Sequence, residues 1–238
     1  MIKDHPWDKS LGWFDKLAQK LRPFIPFTAL NTVRRQIDKN SKSILDVGCG
    51  KGEPMSSINR KGWLLAVGAD GFEPYLQECR KTGLFHDLVR CDVRYLPLKP
   101  DSFDIVMCME VLEHLEKEEG ESLLASLEVI ARKQVILTTP TGKYDQHIYD
   151  GNPRQEHKYI WRPNEMTRLG YEVRGCGFAR FGGEGGVVSR LPSFCKPMIY
   201  LVWILAGPLV YYYPKLSGSL VCIKKCRKNT DIRETRKP

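Results

Sequence analysis

The sequence predicts an α/β domain built on a largely parallel sheet. An apolar strand runs directly into a glycine-rich turn at Ile44–Gly52, and two later apolar segments also end in an acid. A charged, amphipathic helix over 116–132 then leads into the apolar strand at 134–140. Alternating strands and helices are typical of α/β folds, and 238 residues suffice for one substantial core.

The turn after the first strand indicates that a ligand lies against bare backbone. Gly48, Gly50 and Gly52 carry no Cβ, so the chain can adopt positive φ and a ligand can approach closely. Asp46 precedes the turn and is expected to place a fixed negative charge there, which suits a cationic ligand. A dinucleotide fingerprint would instead read G-x-G-x-x-G, with its acid about 20 residues later.

Two further strands are predicted to end in carboxylates. The segment Trp63–Asp70 closes on Asp70, and the segment Val89–Val93 carries Asp92. Ligands of open α/β sheets bind at the carboxyl ends of the strands, where Asp70 could accept both ribose hydroxyls of a nucleoside. Any one acid could simply cap a turn. Three on successive strands favour a binding site.

The order and spacing of these blocks resemble the class I S-adenosylmethionine (AdoMet)-dependent methyltransferases, of the type 11 methyltransferase-domain kind. The resemblance is close over 43–137 and looser to 225. It implies AdoMet as cofactor, with its methionine part over the glycine turn. It also implies that Asp92 meets the adenine amino group, that the Val93 amide lies near the ring, and that Met109, at the end of the fourth strand (Phe103–Met109), belongs to the cofactor site.

The same resemblance implies a Rossmann-like, doubly wound sheet of seven strands in the order 3-2-1-4-5-7-6, with the last strand antiparallel. Strands six and seven are then Tyr171–Phe178 and Ser219–Lys224. About 40 residues separate them, which exceeds ordinary hairpin loops. We therefore predict an apolar insertion at about 181–217 within a methyltransferase domain of residues 43–225.

Both ends of the chain are basic and flank a neutral core. The formal net charge is +9, and residues 1–42 and 222–238 each carry +5. We predict an N-terminal helical extension over 1–42, with an amphipathic helix at about 9–22 and a second at about Ala29–Asp38, and a basic, disordered tail over 226–238. Such ends suit an anionic partner or are simply solvated.

The insertion contains sixteen consecutive uncharged residues, Met198–Tyr213. That is short of the roughly 20 that span a membrane, and its Tyr and Trp content suits a membrane interface. Three interpretations remain open: peripheral membrane contact through 198–213, a cap over the substrate pocket or a dimer surface, and an internal helix packed on the sheet.

The cysteines and the N-terminus favour a cytoplasmic protein, with membrane association left open. Eight cysteines occur without a C-x-x-C pair, and Cys49, Cys91, Cys108 and Cys222 lie in or beside apolar strand patterns. The N-terminus has acids among its apolar residues and shows no signal-peptide core.

The catalytic candidates are His157 and His114. Methyl transfer from a sulfonium depends mainly on alignment, and a base is needed only when the nucleophile must lose a proton. His147 is a further histidine of the loop 141–162, and Glu110 and Glu113 are near His114. In the alternative without a catalytic role, His114 orders the start of a helix and His157 is a loop residue with no part in the reaction. No zinc-ligand cluster is apparent, so no metal is expected.

The predicted function is methyl transfer from AdoMet to a small or lipophilic acceptor. The Asn/Asp-Pro-Pro-aromatic motif of many amino-methylating enzymes is absent at 108–111. Methylation of DNA adenine or of glutamine is therefore disfavoured. Two alternatives stay open: an RNA or protein methyltransferase that docks through the basic ends, and a catalytically silent AdoMet-binding adaptor. A nicotinamide dehydrogenase fails on the glycine spacing.

Overall fold

The computed structural model describes residues 24–58, 63–142, 151–178 and 196–226. In chain order its strands are β1 (Ser43–Val47), β2 (Leu65–Asp70), β3 (Asp87–Arg90), β4 (Phe103–Met109), β5 (Ala131–Pro140), β6 (Glu172–Phe178) and β7 (Ser217–Lys225). The α-helices over the same residues are α1 (Ala29–Gln36), α2 (Glu53–Ile58), α3 (Glu73–Arg80), α4 (Lys117–Ile130), α5 (Pro163–Arg168) and α6 (Lys196–Tyr212).

The seven strands form one sheet in the order β3-β2-β1-β4-β5-β7-β6. The pairs β1–β2, β2–β3, β1–β4 and β4–β5 are parallel, and β7 is antiparallel to both β5 and β6. The predicted fold class, strand order and antiparallel last strand are therefore confirmed. The carboxyl ends of β1 to β5 meet at one edge, and the turns that follow them can share a site.

Two predicted strands are shorter than expected. β2 begins at Leu65 because Trp63 is buried against the core before the strand, whereas Leu64 is exposed. β3 ends at Arg90, so Asp92 lies just beyond the strand. The Asp92 carboxylate accepts a hydrogen bond from the Arg94 amide at 3.0 Å, which forms a turn and stops the strand.

The core lies in two layers, one on each face of the sheet. α4 covers one face with the four apolar residues predicted to point inward, Leu123, Leu124, Leu127 and Ile130. α1 covers the other face and confirms the second helix of the N-terminal extension. The helix predicted at 9–22, the tail beyond 226 and the glycine-rich stretch 181–186 lie outside the described residues.

A buried tryptophan fixes the chain that follows β5 over the exit of β4. Trp161 is fully buried, and its indole N–H donates to the Leu112 carbonyl at 3.2 Å. The Lys158 amide donates to the Glu113 carbonyl at 2.7 Å. A Cβ built on Gly120 of α4 would lie 2.5 Å from Trp161 Cζ2. The absence of a side chain at Gly120 therefore lets the indole enter the core.

Part of the apolar insertion forms α6, and the described contacts of this helix with the sheet lie in its C-terminal half. Val210 is buried and its carbonyl abuts Gly175 of β6, while Gly207 meets the ring of Phe27. The Gln36 side-chain amide donates to the Tyr211 hydroxyl at 3.3 Å. The exposed apolar side chains of α6 are Met198, Leu201, Val202, Ile204, Leu205 and Leu209. The helix is thus attached to the sheet edge, and the interpretation as an internal helix does not describe it.

Among the helices of the described residues, none combines the length and the hydropathy that a membrane span requires.

We expect Gly120→Ala to destabilise the fold by about 1–3 kcal/mol, because the added methyl group meets the buried indole. Alanine normally stabilises a helix interior by about 1 kcal/mol relative to glycine, so the expected sign is unusual. Urea denaturation measures the effect, with the exposed Glu121→Ala in the same helix as control. A Gly120→Ala variant more stable than the parent would contradict this packing.

Candidate functional site

The turn between β1 and α2 is held by the end of β2. The Gly48 and Cys49 amides both donate to the Ala69 carbonyl, at 2.7 and 3.1 Å, and the Gly50 amide donates to Asp70 Oδ2 at 2.9 Å. Gly48, Gly50 and Gly52 have φ of 71°, 52° and 88°. Residues with side chains rarely adopt this region, which explains the alternating glycines.

The turn presents bare backbone on one side and is packed on the other. A Cβ built on Gly50 would meet no atom of the described residues within 4 Å, so its backbone is open toward that part of the structure. A Cβ built on Gly48 would lie 2.3 Å from Val111 Cγ2. The chain leaving β4 therefore packs directly on the first glycine of the turn.

Asp46 lies on β1, one residue before its end, and is fully buried. Neither carboxyl oxygen has a hydrogen-bond partner among the described residues. Burial, helped by Cys79 and Asp70, raises the pKa of Asp46 well above its usual range. The raised pKa favours the protonated, uncharged form of this carboxyl group over the expected fixed negative charge.

Asp70 ends β2 and organises both turns that meet there. Its Oδ2 accepts from the Gly50 amide and its Oδ1 from the Phe72 amide at 2.8 Å. The side chain is half-buried, and each oxygen keeps a second lone pair. Asp70 thus lies beside the glycine turn, and its role as acceptor for ribose hydroxyls stays a prediction.

Asp92 is already paired with two arginines. Its oxygens accept from Arg94 Nε at 3.0 Å and Arg94 Nη2 at 2.8 Å, and Arg154 Nη2 lies 3.6 Å from Oδ2. The hydrogen bonds from Arg94 lower the pKa of Asp92 to about 2. An adenine amino group would share this carboxylate with them. Val93 follows, half-buried against the core.

Met109 is the last residue of β4, and its side chain packs in the core layer beneath α1. Only its backbone therefore reaches the carboxyl edge of the sheet. Glu110, the next residue, has a φ of 53° and donates its amide to the Thr138 carbonyl at 3.0 Å. This left-handed residue turns the chain over the sheet edge.

The two predicted catalytic histidines come together although 43 positions separate them in the sequence. The rings of His114 and His157 are 5.0 Å apart between centroids. His114 Nδ1 lies 3.1 Å from the Glu156 carbonyl oxygen, and burial lowers the pKa of both imidazoles. Both are therefore neutral at pH 7 and can accept a proton or ligate a metal. His147 lies outside the described residues.

Glu113 completes this cluster, and the exposed fraction of this residue is 1%. Its Oε2 accepts from the Thr139 hydroxyl at 3.2 Å. Burial and the neighbouring Glu110 raise the pKa of Glu113 well above its usual range. One oxygen of Glu113 and one ring nitrogen from each histidine lie within 4.8 Å of one another.

A cavity of about 580 Å³ opens beside His157. It lies between the chain after β5 and α5, and its lining includes Thr141, Tyr159 and Arg162. Among the predicted site residues, His157 is in this lining. The cavity therefore gives room for a molecule beside His157.

Two features of the site were missed from the sequence. Arg154 lies over β2, where a Cβ on Gly71 would be 2.1 Å from its Nη1, and its amide donates to Asn152 Oδ1 at 3.1 Å. The burial of Glu113 was missed as well. The sequence Glu110-Val-Leu-Glu113-His114 did show two acids and a histidine close together after β4. The structure places Glu113 and His114 in the same short turn after that strand.

The chain matches a known protein family and resembles several known proteins in sequence. The profile described as "Methyltransferase domain" matches residues 45–137. A ubiquinone biosynthesis O-methyltransferase of Neisseria meningitidis serogroup C is 33% identical over 122 residues, which are 48% of either chain. The protein of the same name from Coxiella burnetii is 30% identical over 182 residues, covering 68% of this chain and 75% of the relative. The chain thus spans about half the length of the Neisseria relative.

The fold also has a counterpart among solved structures. An AdoMet-dependent methyltransferase from Archaeoglobus fulgidus superposes with a TM-score of 0.52 at 20% identity, over 90% of this chain and 95% of that one. Such a likeness shows the shared fold alone.

The residues present fit AdoMet. The bare backbone at Gly50 leaves room for a ligand, and Asp46 offers a buried carboxyl group that a cationic ligand would ionise. Asp70 keeps lone pairs for hydroxyl groups.

Proposed function

The chain belongs to the class I AdoMet-dependent methyltransferases, and on that premise we propose that it methylates a hydroxyl oxygen of a small, lipophilic acceptor. The oxygen is supported by the name of the relatives, O-methyltransferases of ubiquinone biosynthesis. The lipophilic character is supported by the same name and by the exposed apolar surface of α6.

One observation carries the proposal: the cluster Glu113, His114 and His157 adjoins the glycine turn. Val111 packs on Gly48, and the 3₁₀ turn Leu112–His114 follows at once. A group held at the cluster is therefore close to a cofactor held at the turn. AdoMet supplies, when bound, a methyl group on a positively charged sulfur.

The residues of the chain then have separate tasks. The turn and Asp70 hold the cofactor, and the cavity beside His157 admits the acceptor. The segment after β5, fixed by Trp161, covers the cluster and limits water. Neutral imidazoles are suited to deal with the proton that a hydroxyl must lose.

The test uses methyl-labelled AdoMet with four acceptors: a hydroxylated aromatic carrying a long apolar chain, the same head group without the chain, bulk RNA and a protein extract. We expect label in the first and less in the second. Label in RNA, with transfer falling steeply as salt rises, would replace the proposal by the docking of RNA on the basic ends. Label in protein alone would replace it by protein methylation.

Asp70→Asn provides the matched variant in the same assay. We expect AdoMet affinity, measured by calorimetry, to fall by roughly 10-fold to 100-fold, because hydrogen bonds from hydroxyls to a carboxylate are worth about 1.5–3 kcal/mol. Asp87→Asn at the amino end of β3, an exposed acid, is the control and should bind as the parent does. Equal affinity of all three proteins would contradict the cofactor site.

We also propose that α6 rests on the membrane interface, from which a lipid-like acceptor would enter. At least six apolar side chains of α6 are exposed, and Tyr212 and Tyr213 are exposed at its end. Lys215 follows at once, as is common at the headgroup level. A second copy of the chain could instead cover the same surface. The protein would then be a dimer at the protein concentration used.

Vesicle flotation tests this contact with anionic lipid vesicles and the full chain. We expect the parent to float and the double variant Leu201→Asp/Leu205→Asp to stay at the bottom, because two charges cannot enter the apolar layer without large cost. Val129→Asp, at an equally apolar and exposed site on α4, is the control and should float. A parent that does not float, or that sediments as a dimer through this surface, would contradict membrane contact.

A further inference from the structure

We propose that Arg154 is a further cofactor-binding residue, which holds the adenosine part of AdoMet from the chain that follows β5. The same chain carries His157 beside the cavity for the acceptor. Arg154 therefore links binding of the cofactor to the ordering of the segment on the acceptor side. This role rests on the proposed function, because it takes AdoMet as the methyl donor.

The guanidinium of Arg154 lies against a glycine at the end of β2. A Cβ built on Gly71 would be 2.1 Å from Arg154 Nη1 and 3.2 Å from its Cζ, so any side chain at position 71 would take the place of the guanidinium. Gly71 directly follows Asp70, and Arg154 Nη2 lies 3.6 Å from Asp92 Oδ2. Arg154 is thus next to the two acids that the sequence predicts for the ribose and the adenine.

The N–H groups of this guanidinium are available to a ligand. Within the described residues the Arg154 side chain donates no hydrogen bond, and its ion-pair contact with Asp92, at 3.6 Å, is longer than a hydrogen bond. Asp92 does not need Arg154 for charge balance, because Arg94 already donates to both of its oxygens. A planar guanidinium donates in several directions and stacks on aromatic rings, so it suits the hydroxyls, ring nitrogens and face of an adenosine.

The backbone that carries Arg154 is held in place. Asn152 is buried, and its side-chain oxygen accepts a hydrogen bond from the Arg154 amide at 3.1 Å. Pro153 begins the short 3₁₀ turn that contains Arg154, and its ring restricts the backbone further. A side chain presented from a fixed backbone loses less conformational entropy when it binds a ligand.

Four residues after Arg154 the same chain is attached to the exit of β4. The Lys158 and Tyr159 amides donate to the Glu113 carbonyl at 2.7 and 3.2 Å. In the sheet order β2-β1-β4, β1 with its glycine turn comes between this attachment and the contact of Arg154 with Gly71. The segment 154–158 therefore joins the cofactor end of the site to the acceptor end.

One short segment with contacts at both ends couples the two ligands. AdoMet that binds the Arg154 side chain also orders the backbone on which His157 lies. By thermodynamic linkage, a bound acceptor then strengthens the binding of AdoMet by the same factor.

Calorimetry with AdoMet and the full chain tests the contact with adenosine. We expect Arg154→Ala to weaken binding by roughly 10-fold or more, and Arg154→Lys to restore only part of the loss, because lysine lacks the planar fork. Gly71 has no positive φ, so alanine fits its backbone, and Gly71→Ala should cause a similar loss by displacing the guanidinium. The double variant Gly71→Ala/Arg154→Ala should bind no more weakly than either single variant, because both remove the same contact.

Arg90→Ala is the matched control in this titration. Arg90 is an exposed arginine at the end of β3, and its Nε lies 3.8 Å from a carboxylate oxygen of Glu73. Its removal changes the net charge as Arg154→Ala does and leaves the contact with Gly71 in place, so it should bind AdoMet as the parent does.

Hydrogen–deuterium exchange tests the link to the acceptor side without any acceptor. AdoMet should slow exchange in the parent both at the glycine turn and over 152–161, whereas Arg154→Ala saturated with AdoMet should be protected at the turn alone. Equal or tighter AdoMet binding by Arg154→Ala, additive losses in the double variant, or parent-like protection of 152–161 in Arg154→Ala would overturn the role of Arg154 and leave the methyltransferase proposal standing. A parent that does not bind AdoMet would overturn both.

Discussion

The rest of the structure depends on whether the carboxyl groups at the two edges of the sheet are paired with cations or buried without them. At the amino edge, Asp104 accepts from Arg132 Nε at 3.0 Å and from the Lys42 amide at 2.8 Å, and its pKa is lowered. At the carboxyl edge, Asp46 and Glu113 are buried, and among the described residues neither has a cationic partner. Burial of an uncompensated acid costs free energy that the rest of the fold must supply. Residues at functional sites commonly carry such costs.

Both buried acids lie where a ligand could compensate them. Asp46 is next to the glycine turn that leaves room for a sulfonium cofactor, and Glu113 lies with the imidazoles of His114 and His157, in the chain that follows Val111. Fixed protein cations at these positions would stabilise the free protein but compete with the ligands. Arg154 illustrates the difference, because it pairs with the more exposed Asp92, which the sequence predicts to face the adenine. The geometry therefore favours cationic ligands over cationic side chains at the reacting centre.

Much of this edge could be predicted from the sequence. Glycines at alternate positions indicate a turn with positive φ. Apolar runs of strand length, each followed by an acid, indicate β1 and β2. The fold and the glycine turn could therefore be predicted from the sequence. The pairing of His114 with His157 was not, because it depends on Trp161 entering the space left by Gly120, a contact between distant segments. The neutral state of Asp46 was missed for the same reason, since burial is decided by packing. The uncharged, apolar sequence of α6 did not tell which part of the helix would dock on the sheet.

The most direct test of this account is the free energy of unfolding of the parent and of Asp46→Asn, measured from pH 5 to pH 8 without ligand. An unfolded aspartate has a pKa near 3.9, and burial raises the pKa of the folded Asp46 well above its usual range, so between the two pKa values the unfolded chain has lost a proton that the folded parent still holds. Raising the pH must then favour unfolding of the parent, and we expect the Asn variant to become progressively more stable relative to it. A difference that stays constant with pH, or a parent that gains stability over the variant, would show that Asp46 is ionised and compensated within the free protein, and would contradict the account.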